Sequence, residues 1–300
     1  MPKKFLKIVG VLLAITWCAW CLLPSYIRHP GFYAWMLNVG QGESVLLRDP
    51  GGETVLFDGG PDDSVMAELG SILQPWQRRI DLLVLSHDHS DHVTGFIPIL
   101  QRYKVKEVWI SGAVAPNSEY KTFMEELKKH GLSPVIRYFN AQACQPMLPC
   151  PPIEKRGRFS LQIYHPLKNM DGEEPKDQHD ATLVLKATYA GHTILLPGDL
   201  NEQHERDILD SCHPPACTLK ADILQEPHHG SATGLNPAFL KAVSPAAVLI
   251  PVGANNKFHH PSPIILTRLK EAGLRYFRTD TQGRIQVKFT AKGPAITTQR

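Results

Sequence analysis

The 300-residue sequence predicts an α/β fold, with strands and helices mixed along the chain rather than gathered in separate blocks. Three observations support this. From residue 32 onward, short apolar runs alternate with stretches of helical spacing. Several runs end in histidine or aspartate, as where an α/β scaffold brings distant residues to one rim of its sheets. No break in composition, internal repeat or low-complexity segment marks a second domain.

The elements are expected in this order. Residues 32–39 read as a strand, and 44–48 with 54–57 as a hairpin around the turn Asp49-Pro50-Gly51-Gly52. Asp58-Gly59-Gly60 closes that hairpin with backbone freedom. A helix over 64–73 precedes an apolar strand over 80–85. A helix over 93–103, a strand over 106–111, a helix over 120–130 stopped by Gly131, and a strand over 134–139 follow. Residues 140–158, rich in proline and cysteine, read as a long loop. Strands are expected over 159–165, 182–189 and 193–196, then a helix over 202–209 and a strand over 222–226. Helices over 237–242 and 263–272 flank a strand over 247–252, and strands around Tyr276 and over 285–289 complete the chain.

The chemistry centres on Ser86-His87-Asp88-His89-Ser90-Asp91-His92, directly after the apolar strand at 80–85. Three imidazoles and a carboxylate this close are hard to pack: protonated they repel, and buried they need partners. A bound metal resolves both problems, whereas a solvated histidine-rich loop leaves the spacing unexplained. In an extended loop, His87 and His89 face one cation. Asp91 and His92, at the turn into a helix, can face a second.

The formal net charge of +3 says little about partners. Residues 1–30 hold Lys3, Lys4, Lys7 and Arg28 and no acid, so 31–300 carry 28 basic against 29 acidic residues, a net of −1. Global charge therefore gives no support for nucleic-acid binding. From Leu219 onward the count is 11 basic to 4 acidic, a bias that a solvated basic face would also produce. The apolar run from Ile8 to Leu23, extended by residues 24–27, predicts an uncleaved signal anchor over 1–27, because bulky residues fill the place of a cleavage site. Lysines ahead of it predict a domain exported to the extracytoplasmic side, periplasm or cell exterior. Cys18 and Cys21 lie in the anchor. Cys144/Cys150 and Cys212/Cys217 form two close pairs among prolines, spaced for disulfides rather than for a zinc knuckle.

The ordered motifs resemble the metallo-β-lactamase superfamily, in its ComEC-type branch of competence proteins. Met36-Leu37-Asn38-Val39-Gly40-Gln41-Gly42-Glu43-Ser44 resembles the branch's "DVGQGD" opening, and His87 to His92 its H-x-H-x-D-H motif. Gly198-Asp199, His228-His229-Gly230-Ser231 and Asn256-Lys257-Phe258-His259-His260-Pro261 match in turn. The resemblance implies an αβ/βα sandwich of two mixed sheets flanked by helices, here a hydrolase domain over 32–292, with metals at one edge. It implies two divalent ions, zinc or manganese, held by His87, His89, Asp91, His92, a bridging Asp199 and His260, with His259 as the alternative to His260. From its sequence alone Asp199 could equally be a helix N-cap. His179 stands where many superfamily members have a further histidine and where this branch usually has asparagine; His165 is the lesser candidate. Asp91, His228 and His229 are the expected catalytic residues, one histidine serving as general acid or stabilising charge on a phosphoryl oxygen. Gly230, Ser231 and His259 would meet substrate. His130, His192, His204 and His213 are expected at the surface. The implied activity is hydrolysis of a phosphodiester, DNA above all, by a hydroxide activated between the two metals. One expected membrane segment is too few for a DNA channel, so uptake would need a separate channel protein. Hydrolysis of a β-lactam or thioester, and a membrane-tethered, non-catalytic nucleic-acid-binding module, are the alternatives. Oligomeric state is not legible.

Overall fold

The computed structural model describes residues 3–22, 31–139, 153–214 and 217–300. Two mixed sheets stack face to face with helices on both outer sides. The elements of the first half are helix α1 (Lys3–Leu22), strands β1 (Phe32–Met36), β2 (Val45–Arg48) and β3 (Thr54–Phe57), α2 (Ser64–Ile72), β4 (Arg79–Val84), α3 (Ser90–Val93), α4 (Phe96–Arg102), β5 (Lys104–Ile110), α5 (Ser118–Lys129) and β6 (Val135–Ile136). The second half runs β7 (Glu154–Arg156), β8 (Phe159–His165), β9 (Val184–Tyr189), β10 (His192–Leu196), α6 (Glu202–Ser211), β11 (Ile223–Gln225), α7 (Pro237–Val243), β12 (Ala247–Ile250), α8 (Pro263–Glu271), β13 (Arg275–Arg278), α9 (Thr279–Gln282), β14 (Ile285–Thr290) and β15 (Gly293–Thr298).

The first sheet has the order β15-β14-β1-β2-β3-β4-β5-β6 and the second β13-β12-β11-β10-β9-β8-β7. Each is parallel on one side, β3 to β6 and β10 to β13, and antiparallel on the other. Strand alternation sorts the core. In β1, Phe32, Ala34 and Met36 pack between the sheets, while Tyr33 and Trp35 turn to the outer helical layer. A third cluster, with Leu200, Ile208, Phe239 and Ile265, seals the second sheet against α6, α7 and α8.

The first sheet continues past residue 292 into β15, which pairs with β14 along its whole length. The helix expected over 93–103 is broken in two. A Cβ on Gly95 would collide with the Gly59 carbonyl, so the chain closes there on the loop after β3 instead of continuing the helix. That closure holds the metal-motif loop against the end of β3: Gly59 N donates to His92 O at 2.7 Å and Glu43 N to Asp91 O at 3.1 Å.

The membrane anchor expected over 1–27 is not supported. Among the described residues no helix is long and apolar enough to cross a membrane. Helix α1 takes in Lys3, Lys4 and Lys7, which leaves only Ile8 to Leu22 as its apolar part, short of the roughly 20 residues of a span. Cys212 and Cys217 are joined in a disulfide; Cys144 and Cys150 lie outside the described residues.

Candidate metal centre

The loops after β3, β4, β10 and β11 meet at one edge of the sandwich. Two groups of ligand atoms form there, each within 4.8 Å of one another: His87, His89, His179 and Asp199 in one, Asp91, His92 and His229 in the other. Asp199 lies between them. Its Oδ2 is 4.0 Å from His87 Nε2, and its Oδ1 is 3.3 Å from His92 Nε2 and 3.4 Å from His229 Nε2. His229 Nε2 also lies 3.3 Å from Asp91 Oδ2.

Four of the imidazoles share one arrangement. Each turns Nδ1 outward to a protein oxygen: His87 to Ser86 Oγ at 3.0 Å, His92 to Asp58 at 2.7 Å, His179 to Asp177 at 2.6 Å and His229 to the Pro251 carbonyl at 2.9 Å. The inward Nε2 atoms of all four, and Asp199 Oδ1, are buried without a hydrogen-bond partner. Buried polar atoms rarely stay unpaired, so converging orphaned nitrogens beside a carboxylate fit divalent ions of the zinc or manganese kind.

The electrostatics agree. Burial alone would raise the Asp91 carboxyl, but His92 and His229 outweigh it and hold it at about 2. Burial would likewise lower His92 and His229, yet Asp199 with its neighbouring carboxylates drives both well above the ordinary imidazole value. Without metal, these carboxylates hold protons on the imidazoles in its place. Burial pushes His87 down, and it pushes His228 down to about 4.

The two groups redistribute the expected roles. His229, expected to act on substrate, joins Asp91 and His92. His260, expected as a ligand, stands outside both groups, its ring 6.3 Å from that of His228. His228 sits at the mouth with Nε2 3.6 Å from Asp199 Oδ2 and Nδ1 3.2 Å from Thr233 Oγ1. The cause is backbone: His228 (φ 54°) and His229 (φ 55°) are consecutive left-handed residues, a turn costly for side chains with a Cβ. Gly230 has a positive φ (84°) and packs on Pro261, where a Cβ would collide. Ser231 is buried, its hydroxyl 3.0 Å from Thr233 Oγ1, and His259 is exposed outside both groups. His165 is buried away from the groups with Nδ1 on the Thr182 carbonyl at 2.6 Å; burial drives it down to about 3. His204, expected at the surface, is mostly covered and meets Asp180 at 3.1 Å.

Sequence reasoning assigned no role to Asp58, Glu43 or Asp177. Asp58, at the end of β3, accepts from Ser86 N at 2.7 Å, Ser86 Oγ at 2.6 Å and His92 Nδ1. Glu43 completes a third close group with Asp58 and His92, and Gln225 donates to it at 2.8 Å. Its place at the end of the glycine-bearing opening motif was the available signal.

Residues 37–163 match the Metallo-beta-lactamase superfamily. The chain is 27% identical to ComE operon protein 3 of Bacillus subtilis (strain 168), over 85% of this chain and 32% of that protein. It is also 27% identical to Competence protein ComA of Neisseria gonorrhoeae, over 83% of this chain and 31% of that protein. The chain thus spans about a third of the length of these relatives. Among solved structures, Tm1679, a metal-dependent hydrolase of the beta-lactamase superfamily, superposes with a TM-score of 0.53 at 15% identity, covering 86% of this chain and 98% of that one.

Proposed function

We propose that this chain, similar to the metallo-beta-lactamase superfamily and to competence proteins, is a metal-dependent hydrolase of phosphodiesters, with DNA as substrate. The observation that carries the reading is Asp199, one oxygen toward each of two histidine-bearing groups whose Nε2 atoms are buried and unpaired. His87, His89 and His179 would hold one ion; Asp91, His92 and His229 would hold the other; Asp199 would touch both. Divalent ions bound there would supply Lewis acidity and a water of lowered pKa, the usual equipment for in-line displacement at phosphorus.

The chain's own residues do the rest. Ser86, Asp58, Asp177 and the Pro251 carbonyl hold the rings in one tautomer and orientation. His228 lies 3.2 Å from the Thr233 hydroxyl through Nδ1; in the tautomer that accepts there, its Nε2–H would donate to an oxygen of the substrate. Lys257, over the Phe258 ring in the basic last third, adds a cation for a phosphate. The Cys212–Cys217 bond fits an oxidising compartment. The sidedness read from the N-terminal lysines depended on the anchor and falls with it.

The test is hydrolysis by chelator-stripped protein reconstituted with zinc or manganese, on single- and double-stranded DNA, a β-lactam and a thioester. DNA cleavage that needs metal and is lost in His87→Ala is the expected result. Turnover of the β-lactam or thioester with none of DNA overturns the substrate, and metal-independent DNA cleavage overturns the mechanism.

A further inference from the structure

Phe258 is an exposed aromatic residue beside the metal groups: 52% of its surface is open to solvent. It sits in the loop between β12 and α8, and that loop is tied down. Asn256 Nδ2 donates to the Gly253 carbonyl at 2.9 Å and to the His260 carbonyl at 2.8 Å, while its Oδ1 accepts from His260 N at 2.9 Å. Gly253 N donates at 3.1 Å to Gln41 of the opening motif. The loop is thus anchored at both ends to the elements that form the site. Holding a phenyl ring in water loses the hydrophobic gain that burial would give, and nothing in the packing of the core requires it there.

Its neighbours give the ring a direction. Phe258 stacks on His260, with centroids 5.7 Å apart and planes 17° from parallel. His260 is 6.3 Å from His228, and His228 is 4.8 Å from His179. A file of rings therefore leads from the metal groups to solvent and ends at Phe258. Lys257 Nζ lies over the Phe258 ring, 5.1 Å from its centroid, so a base taking that face would displace the flexible lysine toward the adjoining phosphate. A flat apolar surface and a cation at the rim of a phosphodiester site match a strand whose bases are unpaired: the ring takes a base face and the lysine takes a phosphate.

Resting on the phosphodiesterase reading, we propose that Phe258 is a base-stacking platform that seats an unpaired nucleobase next to the scissile phosphate, with Lys257 on the adjoining backbone. The site then prefers single-stranded nucleic acid, because a paired base cannot offer its face.

The test measures binding and cleavage of short oligo(dT) and of an abasic deoxyribose-phosphate strand of equal length. It uses the metal-loaded full chain and its Phe258→Ala, Phe258→Trp and Lys257→Ala variants. Wild type should favour oligo(dT) over the abasic strand on the order of 10- to 100-fold, the usual range for one stacked base. Phe258→Ala should abolish that preference through oligo(dT) KM, with kcat largely kept, and Phe258→Trp should restore it. Lys257→Ala should weaken both strands equally and flatten the salt dependence. A Phe258→Ala variant that keeps the preference, or loses affinity for both strands alike, overturns the platform while the phosphodiesterase reading stands. A wild type that binds and cleaves neither strand but turns over a β-lactam or thioester overturns both.

Discussion

Asp58 holds no expected metal, yet its loss should empty one. It accepts three short bonds: from Ser86 N at 2.7 Å, from Ser86 Oγ at 2.6 Å and from His92 Nδ1 at 2.7 Å. All the groups involved are buried. Asp58→Ala strands the Ser86 N–H and leaves His92 Nδ1 only the longer contact to Ser86 Oγ at 3.3 Å, at about 1–3 kcal/mol for each donor left unpaired. Because that variant can fail to fold, Asp58→Asn is its companion. The amide keeps an acceptor oxygen but loses the charge and cannot serve Ser86 and His92 alike. Partners that orient a ligating histidine are typically worth 10- to 100-fold in metal affinity. Asp58 holds His92 directly and reaches His87 only through Ser86, so the loss should fall first on the group of Asp91, His92 and His229. The assay is metal content after dialysis against graded chelator, with melting temperature measured in parallel. Asp58→Asn should fall from two ions to one at a chelator strength that leaves wild type loaded. Two ions retained at wild-type affinity, or both ions lost together in proportion to unfolding, would refute the reasoning.

The division between His229 and His260 is open to the same measurement: His229→Ala should bind one ion and lose activity with it, while His260→Ala should keep both and cost no more than about tenfold in rate, ~1.4 kcal/mol. A metal lost from His260→Ala instead would return that residue to the ligand set. The buried His165 should make stability fall in acid, because its folded pKa of about 3 is below the unfolded value of 6.5. The stability it contributes is whole above 6.5 and declines as pH falls toward 3, at about 1.4 kcal/mol per unit. In chelator, wild type should therefore lose about 2 kcal/mol more than His165→Gln between pH 7 and 5 by urea denaturation, and equal losses would exclude the linkage.

What the sequence made legible was whatever lies close along the chain. His87, His89, Asp91 and His92 are spaced by a single loop, so their chemistry reads directly. Asp199 reads as well, since a strand delivers it to the rim. Asp58 does not, because its role arises only when β3 and β4 pair in parallel and bring Asp58 to Ser86, 28 positions away. The placing of His229 inside a ligand group and His260 outside was not legible for a different reason: His228 and His229 are two consecutive left-handed residues, a turn that side-chain-bearing residues rarely adopt. The break at Gly95 was missed because helical spacing continues across it; Gly95 N donates to the Gly60 carbonyl and the Asp91 carbonyl accepts from Glu43 N, so the helical bond between them is not made. At the N-terminus, the expected span counted the apolar run together with residues 23–27, which lie outside the described residues.

One principle unites the residues that were missed. An imidazole can present Nε2 to a metal only if Nδ1 has somewhere to put its proton. Ser86, Asp58, Asp177 and the Pro251 carbonyl provide four such places, and they come from four different parts of the chain. Ser86 goes further: its hydroxyl lies 3.0 Å from His87 Nδ1 and donates to Asp58, so one carboxylate orients His92 directly and His87 through the serine. His87 belongs to one group and His92 to the other. Asp199 joins the two groups on the metal side, and Asp58 joins them on the outer side. The two groups therefore share a carboxylate on each face, and a shift in either ring is felt by the other.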